Sequence, residues 1–134
     1  MRKVALILLL SLSVHAISNE QACTVHRDLA CGEGVTFHKL GILDGGLSVY
    51  SYTYIFGQAL RASNRVVFLD QHQKFVGMYS VPEPPNNVQG DCVVFSGPSG
   101  LNSSICISSG GLPAPLLLDG EIIDLHIQTI NKRL

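Results

Sequence analysis

The sequence predicts a mainly β fold, a small antiparallel sandwich or barrel of about seven or eight short strands braced by disulfides. Three observations support this prediction. Short apolar runs alternate with polar residues at a period of two, the turn dipeptides Asp44-Gly45 and Asp119-Gly120 separate such runs, and the four cysteines form an even set. No long helical period occurs, which also favours the mainly β class. An α+β fold with a short N-terminal helix is the alternative.

The N-terminal segment has the pattern of a cleaved secretory signal. Arg2 and Lys3 precede an apolar run over residues 4–14, and Ala16 is the small residue that a signal peptidase accepts. This run is shorter than the roughly 20 residues needed to cross a bilayer. We therefore expect removal of residues 1–16. The remaining 17–134 should form one small β-rich domain, secreted or periplasmic, with no stable membrane insertion.

The charge distribution argues against a nucleic-acid partner. The chain has nine basic and ten acidic residues, and two of the basic ones lie in the leader. Nucleic-acid binding depends on clustered positive charge. Since no basic tract occurs in the sequence, we expect no nucleic acid among the partners.

The cysteines of an exported chain predict disulfides rather than a metal site. Cys92 and Cys106 flank a turn at matching distances, so they can face each other across a hairpin. Cys23 and Cys31 are then the local pair, although spacing alone leaves the other pairings open. No Cys-x-x-Cys motif is present, and we therefore predict no metal and no cofactor.

The central part of the chain predicts a hairpin followed by a loop and a return strand. Residues 65–70 and 74–81 alternate in polarity around the short polar turn 71–73. Proline cannot donate to a sheet ladder, so the chain should leave the sheet at 82–87 and return at 91–95.

Further elements are predicted on both sides of this hairpin. A helix within 18–29 and one or two helical turns at 58–62 are the helical candidates. In the last strand, Ile123, Leu125 and Ile127 should face the core. The further predicted strands are 35–43, 47–56, 104–108, 116–118 and 121–127.

One predicted strand carries an aromatic stripe. Its alternation places Tyr50, Tyr52, Tyr54 and Phe56 on one face. Such a face is either core, with the phenol groups hydrogen-bonded at the sheet edge, or an exposed contact surface, since tyrosine is enriched at interfaces. The sequence leaves both interpretations open.

Histidine and aspartate pairs are the weak catalytic candidates. Asp124 and His126 lie two residues apart, as do His26 and Asp28, so each pair shares a face if its segment is a strand. The sequence shows no third group converging on either pair. Scattered surface histidines or a local hydrogen-bonded pair are therefore favoured over a metal or acid–base site.

The favoured function is an exported, non-enzymatic protein-binding domain of the inhibitor, toxin-neutralising or accessory-subunit type. The expected partner is another exported protein, bound through the stripe from Tyr50 to Phe56 or through the loop 82–87, which contains Glu83. The alternatives are a small secreted hydrolase that uses His126 and Asp124, and a small-ligand carrier.

Overall fold

The structure is a computed structural model that describes residues 22–95, 104–108, 111–118 and 121–127. The mainly β class is confirmed. Residues 1–16, with the expected leader, lie outside the described part, and no helix within that part is long and apolar enough to cross a membrane.

The described elements are a one-turn helix α1 (Ala22–Val25) and the strands β1 (Val35–Ile42), β2 (Ser48–Phe56), β3 (Arg61–Leu69), β4 (Phe75–Val81), β5 (Asn87–Gln89), β6 (Cys92–Val94), β7 (Ser104–Cys106), β8 (Leu116–Leu118), β9 (Glu121–Ile123) and β10 (Leu125–His126).

The described strands form three antiparallel sheets. The main sheet has the order β1-β2-β3-β4-β10, the second sheet the order β5-β6-β7, and β8 pairs with β9 in a ribbon. The first four strands are consecutive neighbours, a meander joined by tight hairpins. The finer expectation of a sandwich or barrel stays a prediction.

The turn between β1 and β2 confirms the predicted hairpin at Asp44-Gly45. It also docks on the second sheet. The Asp44 amide donates to the Gly90 carbonyl at 3.0 Å, and the Gly45 amide donates to a carboxylate oxygen of Asp91 at 3.0 Å. Two turns from different sheets are thereby held together.

The predicted hairpin of β3 and β4 is also confirmed. One carboxylate oxygen of Asp70 accepts the amides of His72 and Lys74 at 2.8 and 2.9 Å. These hydrogen bonds, led by the one from Lys74, lower the pKa of Asp70. The side chain of Asp70 thus closes the turn in the manner of an Asx turn.

The predicted helical turns at 58–62 are wrong. The segment is a hairpin turn in which Gly57 and Leu60 have φ values of 79° and 53°, and β3 already begins at Arg61. Five residues gain too few helical hydrogen bonds to offset the cost of nucleation. Pairing of Phe56 with Arg61 across the turn satisfies the backbone instead.

The predicted strand 121–127 is divided at Asp124. β9 pairs with β8, whereas β10 pairs with β4. Because the chain changes sheet, the alternation is interrupted. Ile123 and Leu125 pack against the core as predicted, but Ile127 is exposed, so its inward orientation was wrongly predicted.

Both faces of the main sheet are buried. The inter-sheet core lies on the face toward the small sheets and contains Leu43, Val49, Val66, Phe68, Tyr79, Val81, Val93, Phe95, Ile105, Ile107, Leu116 and Leu118. The N-terminal core lies on the other face and contains Ala22, Leu29, Val35, Phe37, Tyr50, Tyr52, Val67, Leu69 and Met78. The segment from Ala22 to Cys31 covers this second face.

The disulfides are those predicted. Cys92 and Cys106 lie directly opposite each other on β6 and β7, and Cys23 and Cys31 close a short loop beside α1. Each crosslink restricts the unfolded chain and can contribute about 2–4 kcal/mol. Two disulfides are consistent with an oxidising environment outside the cytoplasm.

Gly34 lies directly before β1 and provides a test of how tightly the chain there packs against β2. Its φ is +86°, and a Cβ at this position would lie 2.6 Å from the Ile55 carbonyl oxygen. We expect Gly34→Ala to lower the free energy of unfolding by roughly 2–4 kcal/mol, because backbone strain and a steric clash add. Urea unfolding of the oxidised chain measures this change.

Gly32→Ala is the matched control for this substitution. Gly32 has a φ of +91°, with nothing within 4 Å of an added Cβ. Gly32→Ala should therefore lower the free energy of unfolding by only roughly 1–2 kcal/mol, the cost of the left-handed conformation for alanine. Equal losses in the two variants would contradict the proposed contact with Ile55.

Candidate functional site

The tyrosines at the centre of the aromatic stripe are core residues. Tyr50 and Tyr52 are each 2 % exposed, and the Phe37 ring stacks on Tyr50 with a centroid distance of 5.0 Å. The exposed-surface interpretation is therefore wrong for these two residues. Their position in the N-terminal core matches the alternative interpretation.

The two buried hydroxyls have hydrogen-bond partners. The Tyr52 hydroxyl accepts the Ala30 amide at 2.8 Å, which attaches the N-terminal segment to the sheet. The Tyr50 hydroxyl donates to the Gln73 side-chain oxygen at 3.2 Å. Burial raises the pKa of both phenols.

The aromatic stripe emerges from the core at the far end of β2. Tyr54 is half-buried and Phe56 is 39 % exposed, and their rings stack with centroids 5.2 Å apart. Exposure thus increases along one face of a single strand. The N-terminal segment determines this gradient, because it covers only the first part of the stripe.

The end of the β2–β3 hairpin, residues 55–62, is here named the hairpin tip. The pairing of β2 with β1 ends at Tyr54, and the pairing of β3 with β4 ends at Asn64. The first rung beyond, Ile55 with Ala62, is still flanked by Gly34, whose carbonyl accepts the Ile55 amide at 2.9 Å. The next rung, Phe56 with Arg61, has no third strand beside it in the described part of the chain. The tip therefore projects from the sheet.

The hairpin tip is apolar. Ile55 is 48 % exposed and Leu60 is 73 % exposed, in addition to Phe56. Its one charged residue is Arg61, and the sequence has no acidic residue between Asp44 and Asp70. Apolar side chains next to a cation are a combination common at protein interfaces.

The predicted proline-rich loop leaves the sheet after β4 and lies at the same end as the hairpin tip. The Asn64 side-chain amide donates to the Pro82 carbonyl at 3.5 Å. Glu83 is buried within this loop. Because Glu83 is buried, its carboxylate does not lie at the surface, where the predicted binding role requires it.

A second surface feature, here named the histidine cleft, has a volume of about 600 Å³. Residues 23–28 form one side, and Leu125 to Ile127 form the other. His26, Asp28 and His126 all line it. The sequence offered these residues only as separate pairs, and the structure brings them to one cleft.

The position of β10 explains why His126 lines this cleft. His126 lies directly opposite Met78, which belongs to the N-terminal core. Opposed residues of an antiparallel pair share a face. His126 therefore stands on the face covered by the N-terminal segment, whereas Asp124 is exposed and does not line the cleft. The pair proposed for hydrolysis is not assembled there.

His26 is held in its neutral form. Its Nδ1 accepts the Asp28 amide at 3.0 Å, and its ring packs against Phe75 with centroids 4.5 Å apart. Burial lowers the pKa of His26 and outweighs the opposite effect of the Asp28 carboxylate, whose oxygen lies 3.8 Å from Nδ1. With Nδ1 accepting, the proton resides on Nε2.

The histidine cleft does not have the donor set of a metal centre. Among the described residues, no group of three or more His, Cys, Asp and Glu side chains could hold a metal ion. One buried neutral imidazole and one exposed imidazole can instead supply hydrogen bonds.

Comparisons with known proteins identify no relative. No family model, no curated protein and no solved structure matches this chain. The function must therefore be inferred from the chain's own surfaces, and the hairpin tip and the histidine cleft are the two candidates.

His26 should make the stability depend on acidity. Since its pKa is below 6.5 in the folded chain, the unfolded chain binds a proton more readily, and stability should fall as the pH drops below 6.5. In His26→Asn, the amide oxygen can still accept the Asp28 amide but does not titrate. We expect this variant to lose less of its free energy of unfolding as the pH falls, measured by urea unfolding on both sides of pH 6.5. An equal dependence of stability on pH in the parent chain and in His26→Asn would contradict the assignment of this effect to His26.

The buried phenols should limit stability in alkali. Burial raises the pKa of Tyr79 to about 12 from the ordinary tyrosine value of 10.0 and also raises those of Tyr50 and Tyr52. The unfolded chain ionises first, so stability should be complete below pH 10 and lost toward about pH 12. Phenolate absorbance should then rise together with the loss of near-ultraviolet circular dichroism. Ionisation of these phenols in a chain that stays folded would contradict this expectation.

Proposed function

We propose that this chain is a secreted or periplasmic, non-enzymatic domain that binds another exported protein through the hairpin tip. One observation carries the proposal: the tip extends beyond the pairing of β2 with β1 and of β3 with β4, and it presents Ile55, Phe56 and Leu60 to solvent. Two disulfides and the leader-like N-terminus support export.

The tip has the properties of a recognition element. Interfaces depend on a few large side chains that enter pockets on the partner. Phe56 is braced by its stacking on Tyr54, whose neighbours along the stripe are locked in the core. Such an anchor loses little conformational entropy on binding, because the rigid sheet already orients it.

The backbone at Leu60 supports the same conclusion. Leu60 has a φ of 53° and is 73 % exposed. A branched apolar residue in this conformation costs roughly 1–2 kcal/mol, and solvent contact does not offset it. Strained residues of this kind cluster where the strain serves binding or catalysis.

The charge of the tip defines the partner's chemistry. Arg61 lies opposite Phe56, so its guanidinium accompanies the aromatic anchor on one face. No carboxylate in the surrounding sequence from Gly45 to Leu69 competes for it. The partner surface that fits is an apolar pocket with an acidic rim.

The proposal is tested by capture of exported proteins from the source with the oxidised chain. We expect a stoichiometric partner that Ile55→Ser combined with Leu60→Ser no longer captures, because two buried apolar anchors are worth about 2 kcal/mol or more in an interface. The control is Ile122→Ser, since Ile122 on β9 is 71 % exposed and lies outside the tip. Capture retained by the tip variant, or lost equally by both, would refute the proposal.

Leu60→Gly separates binding from folding. Glycine adopts a positive φ without strain, so this variant should be at least as stable as the parent chain and should still lose the partner. A lower free energy of unfolding in Leu60→Gly would instead assign Leu60 a structural role.

A further inference from the structure

We propose that the histidine cleft is a binding site for a small aliphatic monocarboxylate. This proposal is independent of protein binding at the hairpin tip, because His26 packs on Phe75, at the end of β4 far from the tip. Its volume of about 600 Å³ lies in the range of small-ligand sites.

Both sides of the cleft contribute polar side chains, His26, Arg27 and Asp28 from one side and His126 from the other. Val25 and Ile127 add apolar surface. The Leu125 side chain packs against the inter-sheet core on the other face of the sheet. Ile127 remains exposed although the strand pattern predicted it to be core. A ligand with one polar head and a short hydrocarbon part matches this mixed lining.

The charges favour an anionic head. Arg27 lines the cleft and Arg65 lies close enough to act on His26, whereas the Asp28 carboxylate is the single negative charge beside them in the described part of the chain. Arg65 is itself incompletely satisfied. Among the described residues its Nε is buried without a hydrogen-bond partner, and its Nη1 contacts the Met78 sulfur at 3.7 Å. A guanidinium with so weak a partner leaves a positive potential near the cleft.

The hydrogen-bonding groups favour a carboxylate. The Asp28 amide occupies Nδ1 of His26, so the Nε2–H of that ring remains as a fixed donor. The Arg27 guanidinium offers a planar fork that suits two carboxylate oxygens. Together these groups can take up one carboxylate without a metal ion.

Titration of the full oxidised chain with hexanoate and hexylamine at neutral pH tests the site. The two probes share a hydrocarbon part and differ in the sign of their charge. We expect hexanoate to shift the imidazole proton resonances of His26 and His126 in a saturable manner, and hexylamine to leave them unchanged. No saturable shift with hexanoate, or equal shifts with both probes, would overturn the proposal.

Variants and competing anions complete the test. Arg27→Gln should weaken hexanoate binding roughly tenfold, as the loss of a charge-assisted hydrogen bond does. Arg61→Gln removes the same charge at the hairpin tip and should have no effect. Equal weakening by both variants, or binding of inorganic phosphate as tight as that of hexanoate, would overturn the proposal. N-acetylleucine distinguishes two classes of natural ligand that carry such a carboxylate. Tighter binding than that of hexanoate indicates a peptide C-terminus, and weaker binding indicates a fatty acid.

Discussion

The main sheet is apolar on both faces, and the rest of the structure depends on how each face is covered. Val66, Val67, Phe68 and Leu69 are consecutive on β3 and all fully buried. A strand with this pattern needs a layer on each side. The small sheets form one cover and the N-terminal segment forms the other, so two short covers enclose a single meander.

Each cover is closed by a crosslink and attached by a few polar contacts. The Cys23–Cys31 loop is joined to the sheet through the Ala30 amide and the Tyr52 hydroxyl. The second sheet contains the disulfide of β6 and β7 and is attached through its turn at Gly90. Short segments gain little stability from local structure, so crosslinks and contacts of this kind carry much of the positioning of both candidate surfaces.

Local patterns in the sequence predicted the local part of this architecture. Alternation and turn dipeptides located β1 to β4, and matching distances from a turn paired Cys92 with Cys106. The aromatic stripe was assigned to a single face correctly. Whether that face was core depended on the N-terminal segment, which lies far away in the sequence, and periodicity carries no information about such contacts.

The errors have the same origin. Residues 58–62 have adequate helix propensity, but pairing along β2 and β3 overrides it. The change of sheet at Asp124 interrupts an alternation that looked continuous. The histidine cleft could not be predicted because His26 and His126 belong to opposite ends of the chain, and β4 alone brings them to the same face.

The two residues of β10 complete the edge of the main sheet beside β4. In sequence they come after both small sheets, so every other described strand precedes them along the chain. Without β10, β4 would present an unpaired backbone edge at Met78 and Tyr79. Such an edge is a template for pairing with a second molecule. The two residues of β10 therefore both complete the sheet and cover this part of its edge.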